Sequence, residues 1–319
     1  MNCDVLIVGG GAAGLSAALV LSRARRSVVV VDAGHPRNAP ASHMQGFLGS
    51  DGLPPSDLLA AGRREATGYG AEMVDATVTG IRRADTDGGA AFTAVLDHGG
   101  PLTARRLLVT TGLVDRMPGI PGLQDRWGID VLHCPYCHGY EVRDQPVGVL
   151  GGSSEAIAHA QLIRQWSDDV IFFSLGSEPG GVAREGLEAR GIGLVEEPIE
   201  RIVVTDNRLR GVRLANGETV ARSALFVRPR FVPNSALLTE LGCTTDASGW
   251  VEVDASGRTG VPGVWAAGNA VNPRAQVITA AGEGSTAAIA INNDLVEDEV
   301  AAALRRRRRR PGSRGTAGV

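Results

Sequence analysis

At 319 residues, with 43% hydrophobic and 21% charged side chains, the chain has the composition of a folded globular protein long enough for two domains. Its net charge is −3 and all 32 basic residues are arginine; seven of these lie after Leu304, leaving 25 against 35 acids, which excludes a globally basic nucleic-acid binder. No apolar run approaches the roughly 20 residues of a membrane span, and four cysteines are too few for a secreted disulfide scaffold.

That cysteine usage predicts a reducing, cytoplasmic setting. No signal peptide is expected, because Val5 to Val8 already reads as a buried strand. Asp4 to Val8 runs into Gly9-Gly10-Gly11-Ala12-Ala13-Gly14 and then a predicted helix, Leu15 to Arg23. This is Gly-x-Gly-x-x-Gly. The first glycine allows a tight turn, the second lets a pyrophosphate approach the backbone, and the third lets helix and strand pack closely. The helix N-terminus offers free N–H groups and a positive dipole end to phosphates. A second strand, Ser27 to Val31, ends at Asp32, where a ribose-binding carboxylate belongs.

Residues 34–70 have loop chemistry, with an isolated His43 and a helix predicted from Ser56 to Thr67. Residues 71–110 alternate apolar and polar with turns at Gly88-Gly89 and Gly99-Gly100, the pattern of an antiparallel meander, and end in Thr110-Thr111-Gly112. The Pro- and Gly-rich segment 113–127 reads as a linker and domain boundary.

Next comes Leu132-His133-Cys134-Pro135-Tyr136-Cys137-His138-Gly139. A Cys-x-x-Cys spacing forms either a redox disulfide or half of a metal site. A metal site needs two more ligands, and Cys3 and Cys243 are single, so no metal is expected. Pro146 to Leu150 is then a strand leading through Gly151-Gly152-Ser153-Ser154-Glu155 into a helix predicted from Ala156 to Trp166. This second dinucleotide-type start is eroded. Ser153 stands where the close-approach glycine belongs, and the next strand, Val170 to Ser174, is followed by Glu178 and no arginine that would hold a 2′-phosphate. Residues 194–232 alternate again with an Asn216-Gly217 turn, and 229–234 is a second hinge-like segment. Val261-Pro262-Gly263-Val264-Trp265-Ala266-Ala267-Gly268-Asn269 reads as a strand ending on a glycine, and Arg274 to Gly284 opens a long helix rich in small residues that runs towards Ala303. The tail, 305–319, is Arg-rich and low in complexity, which predicts disorder.

This order of parts resembles the low-molecular-weight thioredoxin reductase family. The resemblance rests on Gly9-x-Gly11-x-x-Gly14, Asp32, Thr110-Thr111-Gly112, Pro262 to Gly268 and Gln276 to Gly284. It implies an α/β fold with two Rossmann-like, three-layer nucleotide-binding domains, the second inserted in the first. Residues 1–114 and 231–319 would bind FAD, and 115–230 would be a degenerate NAD(P)H-type domain carrying the cysteines. FAD contacts are implied for Gly9, Gly11, Ala12, Ala13, Gly14, Asp32, Ala33, Arg37, Asn38, Gln45, Thr111, Gly112, Gly268, Asn269, Gln276 and Val277. Where the family has Gly-Asp, this chain has Gly268-Asn269, whose amide can still hydrogen-bond a ribityl hydroxyl or phosphate. Where the reductases carry an aspartate after the second cysteine, this chain has His138.

Cys-Pro-Tyr-Cys-His-Gly-Tyr-Glu also looks like the thioredoxin reductase-like dithiol oxidases that close disulfides in sulfur-containing natural products. That likeness implies a homodimer using O2 and producing H2O2, with Cys134 and Cys137 as the redox pair, His138 as base and His133 as second base. Three alternatives are an NAD(P)H-dependent reductase, a ferredoxin-fed reductase, and a flavin redox sensor without turnover.

Overall fold

The computed structural model describes residues 2–86 and 89–309. The chain separates into two compact units. One comprises 1–36, 59–113 and 233–319, and the other 37–58 and 114–232.

The first unit is built on β1 (Asn2–Val8), α1 (Ala12–Arg23), β2 (Val28–Asp32), α2 (Pro55–Gly68, which begins at the unit's edge), β3 (Glu72–Asp75), β4 (Val78–Thr86), β5 (Gly89–Leu96) and β6 (Leu102–Val109). The segment 71–110, expected as an antiparallel meander, divides. β3 joins the parallel sheet beside β2, with Val74 level with Val31, and only β4, β5 and β6 run antiparallel. The Gly88-Gly89 turn lies partly outside the described residues. Alternation sets the layers. Leu6 and Val8 of β1 face a core with Phe92 and Ile81, while Val5 and Ile7 face α1.

The segment β7 (Leu113–Arg116) leads into the second unit: β8 (Val131–Leu132), α3 (Pro135–His138), β9 (Val147–Leu150), α4 (Ser154–Ile163), β10 (Val170–Phe173), α5 (Gly181–Ala189), β11 (Gly193–Val195), β12 (Ile199–Thr205), β13 (Arg208–Leu214), β14 (Thr219–Ala221) and β15 (Ala224–Val227). Its central sheet is parallel, in the order β11-β10-β9-β15-β8. β12, β13 and β14 form the antiparallel layer around the Asn216-Gly217 turn. β11 and β15 fall inside the stretch expected to alternate, yet they belong to the parallel sheet; β15 is buried along its whole length. The returning strand β16 (Arg230–Pro233) pairs with β7.

Residues 37–58 depart from the expected boundary of 1–114 by packing with the second unit. Arg37 makes a two-pronged ion pair with Asp115, at 2.7 and 2.8 Å, and its guanidinium lies over Phe231.

The chain re-enters the first unit with α6 (Ala236–Glu240), β17 (Val264–Ala266) beside β6, and α7 (Val277–Arg309). Arg305–Arg309 correct the expectation of a disordered tail, since they continue α7. Alanine, leucine and arginine are good helix formers, and cations at a helix C-terminus meet the negative end of its dipole. Residues 310–319 lie outside the described residues. α7 is held by charge as well as packing. Buried Arg106 on β6 bonds Asp294 and Asp298, and Arg26 and Arg105 both bond Glu299. Its first turns lie against α1, where a Cβ on Gly284 would stand 2.0 Å from the carbonyl oxygen of Ala13.

Gly284→Ala is therefore expected to push the helices apart. It should cost about 1–3 kcal/mol of stability, as overpacking does, and yield protein that melts several degrees lower in a thermal denaturation followed by circular dichroism.

Candidate active site

The cysteines sit on a turn that the sheet delivers. β8 ends at Leu132, and the chain turns at His133 into α3, with Cys134 as N-cap and Pro135 in the first helical position, where its missing N–H costs nothing. Cys134 and Cys137 are bonded as a disulfide with their Cα atoms 5.2 Å apart, and both are half-buried. The turn is closed by Gly139 N–H donating to Pro135 O at 2.7 Å. Gly139 must be glycine here, because a Cβ would stand 2.5 Å from that oxygen and 2.9 Å from the Trp166 ring. Trp166 also meets Tyr136, the residue between the cysteines, edge-to-face at 5.6 Å.

The flanking histidines differ. His133 Nδ1 lies 3.0 Å from the carbonyl oxygen of Val227, at the end of β15. A carbonyl only accepts, so the neutral ring carries its proton on Nδ1 and leaves a lone pair on Nε2. Burial pushes its pKa below the usual histidine value, helped by Arg37 and Arg228 and opposed by the Val227 bond and Asp115. Burial also lowers His138, with Glu141 opposing. Cys3 and Cys243 are buried free thiols. Burial pushes Cys3 up to about 11 and raises Cys243 as well, so neither is a nucleophile at neutral pH.

The first unit forms a phosphate cradle. A Cβ on Gly9 would meet Thr110 O at 2.5 Å, and one on Gly14 would meet Gly9 O at 1.9 Å, so the loop is folded tightly on itself. A Cβ on Gly11 would meet nothing within 4 Å. Gly11 is also the N-cap of α1 and contributes no side-chain cap, so the helix N–H groups open towards that space. Ala12 and Ala13 begin the helix, and Gly268, at φ +68°, approaches Ala13 and Ala280 of α7. The cradle thus joins the N-terminal turns of α1 and α7, and Val277 opens the second of these. Its donors and clearances fit a dinucleotide pyrophosphate.

Asp32 stands at the end of β2 and is ion-paired with Arg63, a partner the glycine pattern does not announce. Ala33 follows it, exposed. Thr111 and Gly112 are tied to Asn234: Thr111 Oγ1 donates to Asn234 O at 2.7 Å, and Asn234 N donates to Gly112 O at 3.0 Å.

Asn269 lies in the loop between β17 and α7. Its Nδ2 donates to Asn272 O and Ala275 O, at 2.9 and 3.1 Å, and so shapes the loop entering α7 just before Gln276. Glu283 accepts from Gly268 N at 2.8 Å and from Asn272 Nδ2 at 2.7 Å, a joint the sequence reading did not single out. Arg37, Asn38 and Gln45 lie in 37–58, which belongs to the second unit.

The corresponding start in the second unit carries its own cap and its own acid. Ser153 caps α4 with its own hydroxyl, accepting from Ala156 N at 3.3 Å. Glu155 occupies the first turn, where the Ser153 hydroxyl and its own main-chain N–H hold its carboxyl below the usual carboxylate range. A Cβ on Gly152 would stand 2.4 Å from Ser177 Oγ. The positive end of α4 therefore already faces an anion of this chain.

Residues 3–284 match the family model described as pyridine nucleotide-disulphide oxidoreductase. The chain belongs to this family. It is similar to HlmI, whose crystal structure superposes with a TM-score of 0.94 at 55% identity over 97% of each chain. Thioredoxin reductase tcpT of Claviceps purpurea is 31% identical over 282 residues, 83% of this chain and 86% of that one. The "Probable thioredoxin reductase" of Arthroderma benhamiae is 36% identical over 178 residues, 55% of this chain, which spans under half (44%) of that relative's length. The protein is an oxidoreductase of the thioredoxin reductase-like kind and binds FAD. Among the described residues, no helix is long and apolar enough to cross a membrane.

The oxidised protein is expected to show no fast-reacting thiol towards Ellman's reagent under native conditions. After reduction and removal of the reductant, Cys134 and Cys137 should react quickly, while Cys3 and Cys243 wait for denaturant.

Proposed function

We propose that this protein is an FAD-dependent dithiol oxidase, a homodimer that closes an intramolecular disulfide in a small-molecule dithiol and passes the electrons to O2. The observation that carries this reading is the contrast between the two helix N-termini. α1 is open at Gly11, whereas α4 is capped by Ser153 and faced by Glu155, beside an intact redox turn. A nicotinamide dinucleotide would meet a carboxylate of the protein's own chain at that helix start; a thiol needs only the disulfide. The histidine after Cys137 supports the same direction, because incoming thiols, with pKa near 8.5, must be deprotonated to attack.

In this reading a substrate thiol gives its proton to a histidine. His138 is the first acceptor and His133, with its open Nε2 lone pair, the second. The thiolate attacks Cys134 Sγ, the Cys134–Cys137 bond breaks, and its electron pair stays on Cys137. The substrate's second thiol loses its proton and attacks the sulfur bound to Cys134. Cys134 leaves with its electron pair and takes up a proton, and the product is a cyclic disulfide. The chemistry supplied by bound FAD is acceptance of two electrons from the cysteine pair and their delivery to O2 as hydrogen peroxide.

An anaerobic titration at the flavin band tests the reading. Dithiothreitol should bleach the flavin, NADPH should not, and air should restore the colour with one peroxide per turnover. Rapid bleaching by NADPH would return the protein to the nicotinamide-dependent reductases, and bleaching by reduced ferredoxin alone to the ferredoxin-fed ones. Cys134→Ser and Cys137→Ser should each retain FAD and lose dithiol bleaching.

Burial also sets the pH profile. A general base acts only when neutral, and both histidines are pushed down, so kcat/KM should hold through neutrality and fall only as pH drops below about 6.5. His138→Gln should lower its plateau about 100-fold. An acid limb above pH 7 in the wild-type enzyme would sink the histidine assignment.

A further inference from the structure

Arg228 is a cation the mechanism above does not use. It follows β15, which lies between β8 and β9 in the second unit's parallel sheet. Phe226 is level with Leu132 of β8, and Val227 with Leu150 of β9. Continued past the strand ends, that register sets Arg228 beside Cys134 on one side and beside Gly151, which leads into α4, on the other. The alignment with the cysteine turn persists beyond β8, because His133 Nδ1 bonds the Val227 carbonyl at 3.0 Å. Val227 and Pro229 are buried, and Arg228 between them is exposed. In this unit Arg37, Arg126 and Arg222 each hold an aspartate. Among the described residues, the Arg228 guanidinium has no ion-pair or hydrogen-bond partner.

We propose that Arg228 is the cation that stabilises anionic sulfur at Cys134, its guanidinium facing the substrate thiolate as it attacks Sγ and the Cys134 thiolate as it later leaves. This role rests on the thiol-oxidising reading above. Both anions form at one atom of a half-buried turn, where burial penalises charge. A neutral histidine can take the substrate's proton, but it carries no positive charge until it has done so. A guanidinium is charged at every working pH and offers only donors. In the first step the substrate S–H bond breaks, its proton goes to a histidine, the S–S bond to Cys134 forms, and the Cys134–Cys137 electron pair stays on Cys137. In the second, Cys134 leaves with its electron pair and then takes up a proton. Arg228 gives up no atom or electron in either step.

The charge of Arg228 reaches all sides of this edge. After burial, Arg37 and Arg228 are the cations that lower His133, and Arg228 follows burial and His133 in lowering His159. It also adds to the Ser153 hydroxyl and the main-chain N–H in holding the Glu155 carboxyl down. One cation that keeps imidazoles neutral and favours anions is what a base and a thiolate at the same turn both require. The other groups facing the turn are His133 and His138 on its own segment, Glu141 acting on His138, Glu155 and His159 on α4, and Arg37 bonded to Asp115. Glu155 and Glu141 oppose a thiolate; Arg228 is the cation among these groups that no aspartate holds.

The test uses the Cys137→Ser holoenzyme, in which Cys134 is the single thiol of the turn. Its pKa is read from the rate of iodoacetamide alkylation across roughly pH 5–10, with the modified residue identified by mass spectrometry. Adding Arg228→Gln should raise that pKa by about half a pH unit or more, an approximately threefold loss of thiolate at a fixed lower pH. Arg228→Lys, which keeps the charge, should retain most of the effect. Salt at about 0.5 M should raise the pKa where Arg228 is present and hardly move it in Arg228→Gln, because an exposed cation is screened. With Cys137 restored, Arg228→Gln should lower kcat/KM for dithiothreitol about threefold or more. A Cys134 pKa unchanged by Arg228→Gln, or raised as far by Arg228→Lys, would overturn the assignment. The alkylation involves neither oxygen nor turnover, so it stands apart from the oxidase reading, which fails instead if dithiothreitol leaves the wild-type flavin unbleached.

Discussion

No side chain fits between α1 and α7 where Gly284 meets Ala13, and none fits between Gly14 and Gly9 in the loop below. That contact, backbone against backbone, is what makes the first unit a cofactor domain. It fixes where α1 begins, brings Gly268 onto the first turn of α1, and lets the N-terminal turns of two helices share one cradle. Glu283 then ties Gly268 and Asn272 to the same helix, one residue before the critical glycine. Farther along α7, the Arg106 network with Asp294 and Asp298 holds the helix to the sheet by charge. A buried arginine needs such partners, and losing either acid would leave it poorly compensated.

The second unit repeats the architecture and reverses its electrostatics. Its parallel sheet delivers the carboxyl ends of β8, β9 and β15 to one edge, the position where α/β sheets place their ligands. Here that edge carries the protein's own chemistry: the disulfide turn after β8, the Val227 carbonyl that fixes the His133 tautomer after β15, and Ser153 with Glu155 at the start of the helix after β9. Capped N–H groups and negative charge near the dipole both disfavour an anion there, and Ser153 and Glu155 supply one of each.

A second constraint is burial, which acts on titratable groups in both units. Burial lowers the proton affinity of His133, His138 and His159 together, and it raises that of the two thiols outside the turn. One physical cause thus favours neutral imidazoles and protonated thiols alike.

The sequence by itself determined the glycine loop, the acid at Asp32, the cysteine turn and the erosion at Ser153. Each of these is a local pattern whose geometry follows from a few consecutive residues. It also placed both histidines beside the cysteines. Only the tertiary structure decided which partners those groups have. Arg63 on Asp32, Glu283 on Gly268, the inward turn of the Asn269 amide, the packing of Arg37 with Asp115 and the meeting of His133 with His159 all join residues that no local spacing links. The helical state of Arg305–Arg309 was likewise hidden, because composition alone reads an arginine run as solvated chain, whereas a long helix already anchored by its acids extends through it at little cost.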